Sequence, residues 1–136
     1  MTRLALLLTL ALLATGCAGS DGLTDRVLDP TAVTAEDVQS AIFTPSCAIS
    51  DCHTGNDPQM ELDLGDGQAL ADTVGVPSLE RPEYERIDPY NPDDSYLLMK
   101  VTGDDRILGD RMPAEAAALS DRNIALLTEW IRQGAN

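Results

Sequence analysis

Apolar and polar positions divide the chain into segments of distinct character. Leu4 to Leu13 form an apolar run interrupted only by Thr9, with Arg3 ahead of it and the small residues Ala14-Thr15-Gly16 behind it, before Cys17. This pattern predicts a secretory signal, too short to be a stable membrane span. Residues 18 to 33 carry Gly, Ser, Asp and a Pro without sustained periodicity and read as a tether. Thr34 and Asp37 then form a capping-box pattern, with Val38, Ala41 and Ile42 at helical spacing. Pro45 is expected to stop this helix, so the next cysteine falls immediately past its end. From Gly55 to Asn91 the apolar clusters are brief and punctuated by Gly, Pro and Asp, which predicts connecting loop with a short helix around Gln68 to Asp72. A two-turn helix follows, with Asp93 or Asp94 as its cap and Tyr96, Leu97 and Val101 on its apolar side. The last element is the clearest: Ser120 caps it, Ile124, Leu127 and Ile131 recur at intervals of three and four beside Trp130, and Gly134 ends it. No alternating strand pattern of useful length occurs. The expected domain is mostly helical.

Charge and composition narrow the partners. Residues 1–16 are expected to be removed as a signal peptide, leaving a tether at 17–33 and a single domain at 34–136. The small residues before Cys17 resemble a bacterial lipobox, with Cys17 as the lipidated first residue and Ala14 where Leu is more usual. Loss of Arg3 takes the formal charge from −14 to −15. No basic cluster is present, which excludes nucleic acid and anionic lipid headgroups as charge-matched partners and favours basic proteins. The acidic stretch "DLGDG" fails the calcium-loop template: with Asp66 and Gly67 at the fifth and sixth places, Leu62 and Thr73 stand where the terminal carboxylates are needed. Its carboxylates read as a solvated loop. One Phe, one Trp and three Tyr leave a core that a large apolar cofactor would complement.

The candidate chemistry lies in "CAISDCHTG", residues 47–55, which holds two of the three cysteines and the only histidine. If Cys17 carries lipid, Cys47 and Cys52 remain on the oxidising side of the membrane. A disulfide between them is one reading, and the four-residue gap permits it, but it gives no role to His53. Zinc would accept thiolates and imidazole, yet no second Cys or His pair completes a tetrahedral site. Covalent haem uses all three residues: two thioether bonds and an axial imidazole from the next residue. The usual gap in that motif is two residues, against four here.

"IFTPSCAISDCHTG", "DSYLLMKVTG", "GDRMP" and "LSDRNIALLTEWIRQGA" together resemble a small monohaem cytochrome c, of the planctomycete or lipoprotein type with an expanded C-x4-C-H motif. The resemblance covers residues 34–136 and implies an all-α, class I cytochrome c-like fold, its N- and C-terminal helices packed around a haem with long loops between. It implies one covalent haem c on Cys47 and Cys52, with His53 and Met112 as axial ligands of the iron. The implied activity is one-electron transfer rather than enzymatic turnover. The implied setting is an exported, periplasmic or cell-surface lipoprotein, held at the membrane through Cys17 and exchanging electrons with redox proteins that carry basic docking surfaces. Arg106 and Arg111 are candidates for pairing with haem propionates, while Met60, Met99 and Trp130 are expected to fill the core. The alternative is a haemless, lipid-anchored interaction or structural domain with a Cys47–Cys52 disulfide.

Overall fold

The computed structural model describes residues 32–114 and 116–136. The expected signal peptide, the expected lipidation site Cys17 and nearly all of the expected tether lie outside the described residues. Within them the chain is helical, with no β-strand; two isolated bridges, Val74 to Ile87 and Pro77 to Glu85, are the extent of extended pairing.

The first helix, α1 (Ala35–Val38), begins as the capping box requires. The Asp37 amide donates to Thr34 Oγ1 at 3.2 Å, and the Thr34 amide donates to the Asp37 carboxylate at 2.9 Å. That carboxylate is held below its ordinary pKa by the Thr34 hydroxyl, which donates to it at 2.6 Å, and by the Thr34 amide. Helical backbone then runs past the expected stop, through a π-helical segment Gln39–Phe43 and the closing turn α2 (Thr44–Ser46), which contains Pro45. Pro45 has no amide hydrogen to give the Ala41 carbonyl four residues earlier. Asn123 of the last helix supplies the missing donor, its Nδ2 reaching Ala41 O at 3.1 Å. The widened turn and this side-chain bond accommodate the proline, so the helix ends at Ser46 rather than before it.

Between Gly55 and Asn91 the chain has little regular structure but many backbone bonds. A short helix, α3 (Ala69–Thr73), lies one residue later than expected. Residues 73–78 and 84–87 bond to each other: Gly75 N to Ile87 O at 2.9 Å, Ser78 N to Tyr84 O at 2.9 Å, and Arg86 N to Val76 O at 2.6 Å. The acidic residues here are not simply solvated. Asp72 accepts the Asp63 amide at 2.9 Å, and Asp63 accepts the Gly65 amide at 2.7 Å.

The next helix, α4 (Tyr96–Thr102), starts from Ser95, because Pro92–Asp94 form a separate 3-10 turn and neither aspartate caps it. It ends at Gly103, whose φ of 77° is the left-handed conformation a helix C-terminus commonly needs. The last helix, α5 (Asp121–Arg132), is capped by Ser120 Oγ, which accepts the Asn123 amide at 3.2 Å. Leu127, Trp130 and Ile131 share its buried face. α5 packs against both α1 and α4, and the core between them holds Val38, Ile42, Phe43, Leu97 and Val101. Trp130 meets Phe43 edge to face, ring centroids 6.4 Å apart. Past α5, Gly134 (φ +104°) lies under the Tyr90 ring, so close that an added Cβ would sit 2.6 Å from it.

Candidate functional site

The end of the first helical stretch delivers Cys47 directly into a loop that folds back on itself. The Cys47 amide donates to Phe43 O at 2.9 Å, and the His53 amide returns to Cys47 O at 3.3 Å. Cys52 sits within this turn, its amide on Ile49 O at 3.1 Å, while Asp51 adopts a left-handed φ of 67°. Both cysteines are free and half-buried. Burial pushes the Cys47 thiol up to about 11, and the neighbouring Cys52 adds to the rise. The two sulfurs therefore sense each other without being bonded.

His53 is oriented by backbone on both sides. Its carbonyl accepts the Leu64 amide at 2.8 Å, and its ring Nδ1 lies 3.2 Å from the Gln59 carbonyl. A carbonyl oxygen can only accept, so Nδ1 carries the proton and Nε2 keeps its lone pair. Burial lowers the pKa of the ring, with Arg86 and Lys100 contributing in the same direction against the pull of the Gln59 and Leu62 backbone. Burial thus favours the neutral imidazole.

These residues open on a cleft enclosing about 640 Å³ of non-atom space, its mouth included. Cys47, His53 and Met112, drawn from three separate points of the chain, all line it. Leu62, Leu64, Leu97 and Val101 make its walls apolar. Met112 is tied to the end of α4 by its amide, which donates to Lys100 O at 2.8 Å. Cys52 does not line the cleft, although it adjoins Cys47 in the loop.

Several expected neighbours lie elsewhere. Leu127, Trp130 and Ile131 belong to the helical core, whereas Leu97 both joins that core and reaches the cleft. Met99 is buried as a core filler, but Met60 is 45 % exposed and lines the cleft mouth. Arg106 is spent on a surface cluster, bonded to Asp94 at 3.2 Å and Asp104 at 2.9 Å, with its guanidinium 5.7 Å from the Tyr84 ring centroid. Arg111 lays its aliphatic stem over Gly103 and donates to its neighbour's carbonyl, Met112 O, at 3.2 Å. Neither lines the cleft.

The cations that do are Arg86 and Lys100, buried at 7 % and 8 % exposure. Lys100 Nζ pairs with Glu80 at 3.0 Å and donates to Leu108 O at 2.7 Å, while Tyr96 Oη donates to the same carboxylate at 2.8 Å. The sequence signal for this polar wall was slight. Lys100 stands within an apolar helical run, and Arg86 lies in a segment without periodicity.

No protein-family model matches this chain, and no curated protein or solved structure gives a significant match to it.

Proposed function

We propose that this protein is an exported, lipid-anchored c-type cytochrome with a class I cytochrome c-like domain, carrying one electron at a time between redox proteins. The observation that carries the reading is the convergence of Cys47, His53 and Met112 on one apolar cleft. Bound haem would supply a ferric–ferrous couple that takes up and releases one electron.

The chain's own residues fit that group in four ways. Cys47 and Cys52, adjacent in the loop, offer two thiols for covalent attachment. His53 offers a neutral imidazole whose Nδ1–H donates to a backbone carbonyl, as in most metal-binding histidines. Met112 offers a thioether, a ligand that favours the reduced state of iron and raises its potential. Leu62, Leu64, Leu97 and Val101 exclude water, while Arg86, in no ion pair among the described residues, brings a buried positive charge that complements porphyrin carboxylates. The acidic chain favours basic docking partners. Attachment to the membrane would come from lipid on Cys17, on the resemblance of the small residues before it to a lipobox.

A redox titration of the purified full-length protein, followed by visible absorption, tests the activity. The reading requires a reversible transition with a one-electron slope. A protein with no redox-active chromophore, matured under haem-attaching conditions, would leave the disulfide-bonded structural domain as the better account.

A further inference from the structure

His53 owes its orientation to a turn whose backbone is strained. The carbonyl that accepts its Nδ1–H belongs to Gln59, and the next two residues, Met60 and Glu61, have φ of 58° and 52°. Consecutive non-glycine residues in the left-handed region are unfavourable and persist only where the surroundings hold them. Here the Gln59 amide donates to Cys52 O at 2.8 Å, and its side chain donates to Asp51 O at 2.7 Å. The third restraint is Arg86, whose Nη2 donates to Met60 O at 2.8 Å.

Arg86 is itself rooted from three directions. Its Nη1 donates to Asp72 O in α3 at 2.8 Å, its amide to Val76 O at 2.6 Å, and its carbonyl accepts the Leu97 amide of α4 at 2.9 Å. It takes part in none of the ion pairs among the described residues. A buried guanidinium held by neutral carbonyls is a costly way to fill a wall. Its planar fork, however, bridges two carbonyls at once and so ties the strained turn to α3 and α4.

We propose that Arg86 is a positioning residue for His53. By clamping the Met60 carbonyl it holds the Gln59 carbonyl in place, and that carbonyl keeps the proton on Nδ1. The functional consequence rests on His53 being the haem ligand; the positioning itself does not.

Because the chain has a single histidine, its ring nitrogens can be read without ambiguity. Full-length protein labelled with 15N-histidine, made with and without a haem-attachment system, should show the Nδ1–H form of His53. In Arg86→Gln and Arg86→Lys, exchange of that ring proton with solvent should quicken about tenfold, the scale on which outer-shell partners act at metal ligands. If Arg86→Gln does not fold, Arg86→Lys carries the test, since it keeps the cation and loses only the bridge. Adding Met60→Gly to Arg86→Lys should recover the slow exchange in part, because glycine adopts the left-handed turn freely. In the haem-loaded form, Arg86→Lys should raise the reduction potential, because a weakened Nδ1–H bond makes the imidazole a poorer donor while the charge is unchanged. Wild-type exchange in a folded Arg86 variant, or no recovery with Met60→Gly, overturns the proposal. Absence of covalent haem from the wild type would instead remove the cytochrome reading and leave the exchange result standing.

Discussion

The Gln59 carbonyl lies 3.2 Å from His53 Nδ1, while the Gln59 amide reaches back to Cys52 O at 2.8 Å, so one residue braces both the histidine and the cysteine before it. This brace is made by main-chain atoms. Replacing His53 by Ala should reduce the yield of haem-loaded protein by about tenfold or more, since loss of a ligand's outer-shell support alone costs about 10–100-fold. Gln59→Ala keeps the carbonyl and should load normally. Haem content per protein, measured by absorbance, checks both. Equal loading of His53→Ala and wild type would refute the ligand assignment.

Two methionines line the cleft, and only one is proposed as a ligand. Met112→Ala should lower the reduction potential and alter the visible spectrum, because a thioether favours ferrous iron. Met60→Ala, at the exposed mouth, should leave both unchanged. A reversed pattern in the two variants would transfer the ligand role to Met60.

The raised Cys47 pKa implies a pH dependence in protein that carries no haem. Its pKa rises from 9.0 to about 11 on folding, so the fold favours the neutral thiol. The corresponding stabilisation is complete below about 9 and is lost as pH climbs towards 11. Melting temperature of the haem-free chain should fall across this window, and Cys47→Ser should flatten the fall. A pH profile unchanged by that substitution would contradict the burial of the thiol.

Asn123 answers for the hydrogen that Pro45 lacks. Asn123→Ala strands the Ala41 carbonyl and should cost about 1–3 kcal/mol of stability. In a Pro45→Ala background the regained amide can serve that carbonyl, and the cost should shrink. A double-mutant cycle from denaturant melts measures the difference. Strict additivity would disconnect the two residues.

What the sequence made legible was local. The Thr34–Asp37 capping box, the Ser120 cap and the Leu127–Trp130–Ile131 face each depend on residues within a turn or two, so spacing alone revealed them. Pro45 misled because its compensation comes from Asn123, on another helix and 82 residues beyond the Ala41 carbonyl that it serves. The 55–91 segment read correctly as connecting loop with one short helix, but what orders it was not visible. Its order lies in backbone bonds between 73–78 and 84–87, which leave no periodic mark on side chains. Arg86 became visible as a buried clamp only once Asp72 and Met60 were brought to either arm of its guanidinium. The cysteine–histidine loop announced itself through spacing, whereas the placement of Met112 in the same cleft depended on tertiary folding.

The central claim is that haem is bonded to this chain through Cys47 and Cys52. It is tested most directly by a haem stain of the denatured full-length protein on a gel, made alongside a working haem-attachment system. Covalent attachment predicts a stained band at the protein's mass in the wild type and none in the Cys47→Ala/Cys52→Ala double variant. An unstained wild-type band would contradict the account.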